Sequence, residues 1–314
     1  MRVQHAVELY FDTRKACGYP TLDTRILKRF CRAVGPSRQL RSIRPAQVHR
    51  FIDGGRPVNG GWENRYYTLR KFYRFAIARH LTGNDPCPTS KPKRDVPFRP
   101  YIYSLCELQR LFDACKNPDV RWKTLHPHTF RTLATLLYGA GLRLGEALRL
   151  MHSDIDFSEG LLTIRCSKFA KTRVLPIGSD LAHILQRYIR SGAHPYKADA
   201  ASLVFAYQDG SPIQESALRR AFIRFRSSAG IARSDGAYFQ PRLHDLRATF
   251  AVHRMTSWYQ QGKDVQRLLP LLSTYLGHVS IEATQVYLTM TPELLAQASR
   301  RFLRFAELQE VSHE

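Results

Sequence analysis

Gly139-Ala140-Gly141-Leu142-Arg143-Leu144-Gly145-Glu146-Ala147-Leu148-Arg149-Leu150 places an arginine where a glycine-broken turn enters an apolar helix. Upstream, Pro127 to Tyr138 has the apolar spacing of a buried helix, and Leu144 to Met151 reads as the helix after the turn. Further upstream, Ser104 to Ala114 opens with a serine cap and Glu107 three residues on, the pattern of a capping box. Downstream the period changes: Leu161-Leu-Thr-Ile-Arg-Cys-Ser-Lys-Phe-Ala-Lys-Thr-Arg-Val-Leu-Pro-Ile177 holds two short β-rich runs around a turn, a hairpin. From Leu181 through Phe305 the chain is again mainly helical. The expected fold class is mainly α with one small β-hairpin or sheet.

The first hundred residues differ in charge. They hold 21 lysines and arginines against 7 acids, or +14 of the chain's +22. Val3, Val7, Tyr10 and Phe11 mark one helical stripe, and Leu22, Ile26, Leu27 and Phe30 a second. Pro45 opens a third helix that Gly54 and Gly55 end, and a fourth runs from about Trp62 to Leu81. On the fourth, Arg65, Arg70, Lys71, Arg74 and Arg79 surround an apolar face. Residues 1–84 therefore read as a basic helical bundle. Residues 85–100 contain Pro86, Pro88, Pro92, Pro97 and Pro100 and read as a linker, in which Lys91, Lys93 and Arg94 could also touch a phosphate backbone. Residues 101–314 form a second domain.

At 314 residues the chain can bury two cores without staples. A net charge of +22 and a pI near 10.1 call for a polyanionic partner, because basic side chains that neutralise phosphates release counterions. Nothing in the sequence speaks for a membrane: the stretch near Leu268 to Leu276 is interrupted by Pro270, Ser273 and Thr274 and is too short to span. The N-terminus lacks a signal-peptide pattern, so a cytoplasmic, nucleoid-associated protein is expected. Six scattered cysteines without C-x-x-C spacing read as reduced and mostly buried. His126 and His128 have no carboxylate or cysteine at ligand spacing, so no metal site is expected there.

Three boxes carry candidate chemistry. Arg143 lies at a helix start with Glu146 three residues on, placed to orient its guanidinium. His244-Asp-Leu-Arg247 puts a histidine and an arginine on one helix face. Leu276-Gly-His278 is followed nine positions later by Tyr287. Each alone has an ordinary reading: a surface ion pair, a capped histidine, a core tyrosine.

Together and in this order, the boxes resemble the signature of the tyrosine recombinases, the phage-integrase-like family. The likeness covers roughly residues 100 to 300, and the basic N-terminal bundle is similar to that family's core-binding, SAM-like domain. It implies that Tyr287 attacks a scissile DNA phosphate to give a 3′-phosphotyrosyl bond and a free 5′-hydroxyl. Arg143 and Arg247 would hold the phosphate, with His244 and His278 handling protons or hydrogen-bonding it. A hairpin lysine would protonate the leaving oxygen. Spacing back from Pro176 matches Lys168 to that role, and Lys171 is the fallback, since this hairpin lacks the glycines of the family pattern. Ala248 stands where many members have a second histidine.

The resemblance further implies no metal, no ATP or other cofactor, and double-stranded DNA with specific recombination sites as partner. It implies a tetramer on that DNA, with a C-terminal helix at about 291–314 exchanged between neighbours, and leaves room for accessory DNA-binding proteins or sister recombinases. The rivals are a catalytically idle DNA-binding protein of recombinase ancestry and a type IB topoisomerase-like enzyme. All candidate positions are filled, which disfavours the first, and the small N-terminal domain disfavours the second.

Overall fold

The structure is a computed structural model that describes residues 1–18, 24–54, 60–92, 99–116, 125–165, 172–191, 199–237 and 239–289, with residues 296 and 299. It divides into two compact units, Met1–Phe98 and Arg99–Glu314.

In the first unit, α1 (Val3–Ala16), α2 (Thr24–Val34), α3 (Pro45–Asp53) and α4 (Gly60–Ala78) enclose a core that includes Leu27, Phe30, Val48, Ile52, Trp62, Phe72 and Tyr73. Pro45 occupies the first turn of α3, and Gly54 ends it with a left-handed φ of 57°. The next helix closes that end. Trp62 Nε1 donates to Asp53 Oδ1 at 2.8 Å, and Arg65 Nε donates to the Ile52 carbonyl at 2.7 Å, satisfying a carbonyl that the helix end leaves open. Helix α4 stops at Ala78 rather than Leu81, and His80 takes a left-handed φ of 55° just beyond it.

The second unit contains α5 (Leu105–Ala114), α6 (Pro127–Gly139), α7 (Leu144–Leu148), α8 (Ser179–Ile189), α9 (Glu215–Ser228), α10 (Asp245–Gln260), α11 (Val265–Leu276) and α12 (Glu282–Gln285), the last running into a 3-10 turn at Val286–Thr289. The capping box of α5 forms in both directions: Glu107 N–H donates to Ser104 Oγ at 3.2 Å, and Ser104 N–H donates to the Glu107 carboxylate at 2.9 Å. Between α7 and α8 lies an antiparallel sheet of β1 (Ile155–Asp156), β2 (Leu161–Ile164) and β3 (Arg173–Pro176), in that order. The pairing Leu162↔Leu175 puts two buried leucines against the helical core, while Val174 faces out.

Mainly helical with a small sheet is thus the observed class. Two details differ from the expectation. A two-residue strand, β1, extends the hairpin to three strands, its short length leaving no periodicity to detect. The region after Leu181 is less helical than its composition suggests, since residues 199–214, apart from isolated bridges, and residues 229–237 and 239–244 are largely irregular. At the centre, α10 packs on α6 with Leu246, Ala248, Thr249, Ala251 and Val252 all buried, so α10 is enclosed on several sides.

Candidate active site

Two glycine turns build the site. After α6 ends, Gly141 turns the chain with φ +59°, and a Cβ there would lie 2.5 Å from Phe250 Cδ1 and 2.9 Å from Leu276 Cδ2. Only glycine fits. The turn delivers Arg143 just ahead of α7. Its backbone N–H donates to Glu146 Oε2 at 3.0 Å, its Nη1 to Glu146 Oε1 at 2.8 Å, and its Nη2 to the Gly277 carbonyl at 2.6 Å. Gly277 itself caps α11 in the left-handed region, φ +67°.

Arg247, in the first turn of α10, is only 2% exposed. Its Nη1 donates to the Gly141 carbonyl at 2.6 Å and its Nη2 to the Leu276 carbonyl at 2.7 Å. The two guanidiniums therefore cross-link the turn before α7, the start of α10 and the end of α11. Each has five N–H donors, and these bonds leave donors for a bound oxyanion.

The charges are unevenly paired. Burial, followed by the charge of Arg143, lowers the Arg247 pKa to about 10, still high enough to keep it cationic at neutral pH. Glu146 is 3% exposed, and burial alone would raise its pKa. Hydrogen bonds from Arg173 and Arg143 overcome that and hold the carboxylate at about 2. Arg173 makes a two-pronged pair with it at 3.0 and 2.9 Å. Asp245, also buried, is engaged by Arg242, which donates from its backbone N–H at 2.9 Å and from Nη2 at 2.7 Å.

His278 follows the Gly277 cap directly. Its Nδ1 lies 2.6 Å from Thr284 Oγ1, a hydroxyl that can donate or accept and so fixes the ring in either tautomer. Burial, then Arg247, Arg143 and Arg173, depress its pKa to about 4, leaving a neutral imidazole at physiological pH. His244, at the start of α10, is depressed in the same direction by burial and by Arg247 and Arg242.

Tyr287 lies in the 3-10 turn after α12, its ring centroid 6.1 Å from that of His278. Burial raises its pKa, while the charge of Arg247, hydrogen bonding to it and the charge of Arg143 pull the other way. A phenol, two guanidiniums and two imidazoles whose pKa values are lowered thus form one electrostatically linked cluster. Such a set can bind a phosphodiester, accept a phenolic proton and stabilise negative charge that grows on phosphorus oxygens.

The structure brings Arg143, Glu146, His244, Arg247, His278 and Tyr287 into this network. Lys168 and Lys171 lie outside the described residues, as do Lys93, Arg94 and most of the expected helix at 291–314. The remaining basic candidates belong to the first unit. Arg65 is held by the Ile52 and Asp53 carbonyls, Arg70 by the Tyr66 hydroxyl and the Pro88 carbonyl, and Lys91 pairs with Glu63 at 2.5 Å. All three make these bonds within the first unit. Lys71 and Arg74 are exposed on α4.

Sequence reasoning missed Arg173 and Thr284. Arg173 was visible only as one residue of the hairpin pattern, and Thr284, fully buried, carried no signal at all. His126 has a structural use, its Nδ1 accepting from the His128 backbone N–H at 3.2 Å to cap α6. Among the described residues, no three or more His, Cys, Asp or Glu cluster as metal ligands, and no helix is long and apolar enough to cross a membrane.

Residues 105–293 match the phage integrase family. A Sinorhizobium fredii protein named as an integrase/recombinase, y4rE, is 33% identical over 299 residues that cover 94% of each chain. Among solved structures, the Tn1549 transposon integrase in complex with transposon right-end DNA superposes with a TM-score of 0.67 at 18% identity, covering 98% of this chain and 100% of that one. A lambda integrase tetramer bound to a Holliday junction gives 0.65 at 17%, covering 91% and 77%.

Proposed function

The chain belongs to the phage integrase family of tyrosine recombinases, enzymes that cut and rejoin DNA, and from that premise we propose that Tyr287 is its nucleophile and Arg143, Arg247, His244 and His278 its phosphate-handling groups. One observation carries the assignment: the Tyr287 phenol sits under the charge of both arginines, beside a neutral His278.

The phenolate oxygen attacks phosphorus, forming the Tyr287 Oη–P bond as the P–O5′ bond breaks. The product is a 3′-phosphotyrosyl enzyme and a free 5′-hydroxyl. The phenolic proton passes to a neutral imidazole, which the depressed pKa values of His244 and His278 keep available. Arg143 and Arg247 bind the non-bridging oxygens. Lys168, or failing it Lys171, protonates the departing 5′-oxygen. A second DNA 5′-hydroxyl then reverses the step onto a new strand, so the bond energy is kept and neither ATP nor metal is required.

Tyr275 is the nearest rival nucleophile. Its hydroxyl donates to the Pro176 carbonyl at 3.2 Å and its ring stacks on Phe250, which ties it to the sheet and α10. The substrate is double-stranded DNA carrying specific sites, and the assembly a tetramer on paired sites, linked through the tail at 291–314. The basic helical bundle of residues 1–84 and the linker at 85–100 serve as the second DNA grip.

A nicked suicide substrate tests the reading. Covalent protein–DNA adduct with the native chain, and none with Tyr287→Phe at unchanged DNA affinity, supports it. Adduct persisting in Tyr287→Phe and vanishing in Tyr275→Phe overturns it. Joining of strands from two separate sites distinguishes recombination from topoisomerase-like relaxation, and absence of adduct in every form returns the chain to an idle DNA-binding role.

A further inference from the structure

Tyr103 lies just ahead of the Ser104 cap of α5 and is fully buried. Its ring packs in the core of the second unit, edge-on to Tyr101 at 5.0 Å and 80°. A phenylalanine would fill that space without a hydroxyl to desolvate. The hydroxyl instead donates to the Arg242 carbonyl at 3.1 Å, and burial holds its pKa above the ordinary tyrosine value, so it stays a donor. The backbone N–H of the same residue donates to Thr249 Oγ1 at 3.1 Å, and that hydroxyl donates onward to the Asp245 carbonyl at 2.9 Å.

The two bonds reach either end of one short stretch, Arg242 to Thr249, which contains His244 and Arg247. Arg242 and Asp245 close its first turn: the Asp245 N–H donates to the Arg242 carbonyl at 3.0 Å, and the Arg242 N–H to the Asp245 carboxylate at 2.9 Å. Leu243 and Leu246 sink the turn into the core, and Arg226 holds the Pro241 carbonyl just before it at 2.8 Å. Apolar burial sets the depth of the turn and, being non-directional, leaves its rotation to the hydrogen bonds.

The two reacting side chains depend on this stretch unequally. Arg247 has anchors of its own in the Gly141 and Leu276 carbonyls. His244 makes no side-chain hydrogen bond among the described residues and stays open to solvent, although Leu243 and Asp245 on either side are buried. The backbone beneath it therefore decides where its ring points.

We propose that Tyr103 is a positioning residue for strand cleavage: by bonding the Arg242 carbonyl and the Thr249 hydroxyl it fixes the turn that aims His244 at the scissile phosphate. The proposal rests on the reading that His244 handles that phosphate or its proton. Tyr103, being buried, touches no DNA. Its loss acts through geometry, and where a misplacement on the order of 1 Å lowers a rate about 100-fold, a fraction of that lowers it about tenfold.

A double-mutant cycle on the nicked suicide substrate tests the route. Single-turnover cleavage at saturating DNA, DNA affinity and thermal melting are measured for the full chain, for Tyr103→Phe, Thr249→Val and His244→Ala, and for His244→Ala combined with each of the other two. Tyr103→Phe keeps the ring and loses only the hydroxyl. It should cleave about tenfold slower, with DNA affinity within about twofold of native. Thr249→Val keeps its volume, removes the acceptor of the Tyr103 N–H, and should behave alike. In the His244→Ala chain, itself about 100-fold slow or more, neither substitution should slow cleavage further by more than about twofold. A residue that only supports the fold would slow both backgrounds equally.

Equal penalties with and without His244 would overturn the positioning role and leave the role of His244 standing, as would a defect confined to DNA affinity. A folded Tyr103→Phe chain that cleaves at the native rate would also overturn it. Thr249→Val decides in the same way if Tyr103→Phe does not fold, and failure of both to fold would assign the bonds to stability and overturn it too. A folded His244→Ala chain that cleaves at the native rate would overturn the reading of His244 and this inference with it.

Discussion

Removing the charge of Glu146 perturbs this site most informatively, because one buried carboxylate serves two guanidiniums. In Glu146→Gln the shape is kept, but the amide cannot accept from Arg143 and Arg173 at both of its ends. The lowering of the pKa from 4.5 to about 2 corresponds to about 3 kcal/mol favouring the charged, folded form. Leaving two partly buried guanidiniums without their anion costs a similar amount, about 3–5 kcal/mol. The variant should therefore be less stable than the native chain by about 3 kcal/mol at pH 7. The sign with pH follows from the depressed pKa. The contribution is fully present above about 4.5 and fades as the pH falls toward about 2, so the gap between native and variant must shrink over that window. Urea denaturation of both proteins from pH 7 down to the lowest pH at which both remain folded measures the gap directly. Taking the difference cancels the self-repulsion of a chain carrying +22 charges. A gap below about 0.5 kcal/mol at pH 7, or one that stays constant through the acid limb, would refute the electrostatic account of the pair.

Further outcomes are open to measurement. Arg143→Ala and Arg247→Ala should each slow adduct formation by about 100- to 1,000-fold, as for loss of a transition-state donor; a loss confined to substrate affinity would assign them to ground-state binding only. Thr284→Val keeps the volume but removes the 2.6 Å contact to His278, and should reduce cleavage about tenfold with little change in melting temperature; unchanged cleavage would show that the ring needs no such tether. Because the His278 pKa is lowered to about 4, its protonation should leave the cleavage rate flat near pH 6.5 and depress it only as pH falls toward about 4; a rate step near 6.5 that disappears on replacing His278 would contradict the burial described. Gly141→Ala, with a methyl driven against Phe250 and Leu276 at a φ of +59°, should destabilise the chain by more than about 2 kcal/mol; a melting curve that matches the native one would mean the turn can relax.

Much of this site could be read from residue order because its members sit at local punctuation. Arg143 follows a glycine turn, Arg247 lies one turn into a helix opened by His244, and His278 follows the glycine that caps α11. Such positions leave local marks: broken periodicity, a cap, a positive φ. Arg173 and Thr284 leave none. An arginine at a strand start and a threonine in a short helix are ordinary residues in isolation, and they acquire their roles only when the sheet meets α11 and α12 meets the Gly277 turn. The bonds of Arg65, Arg70 and Lys91 are equally silent in the sequence: basic residues around an apolar helix face look alike there, whereas in the fold Arg65 and Arg70 reach backbone carbonyls and Lys91 reaches Glu63.

The pairing of charges also bears on why the site can favour a transition state over bound DNA. Arg143, Arg173 and Arg247 face one carboxylate, Glu146, while Asp245 is matched by Arg242, so two positive charges remain in excess among these described groups. A phosphodiester brings one negative charge. Once the phenolic proton has moved to an imidazole, the pentacoordinate species carries two, and the imidazolium carries the compensating positive charge. The net charge of the site is unchanged, but negative charge has gathered on the phosphoryl oxygens that the guanidiniums face, so their attraction is stronger at the transition state than in the ground state, which is the difference in binding that accelerates a reaction. Burial of Arg247 and its bonds to two backbone carbonyls mean that no solvent or side-chain rearrangement is needed at that moment. The balance predicts an asymmetry. Methylphosphonate substitution at the scissile position removes the ground-state charge and leaves one at the transition state, so the native site becomes over-supplied with cations. Removing one guanidinium should then cost far less on that neutral substrate than on the natural one. Arg143→Ala, the more exposed of the pair, should lose its factor of about 100 to 1,000 and fall to within about tenfold of native. An Arg143→Ala defect of the same size on both substrates would show that this arginine acts by placing the phosphate, not by matching its charge.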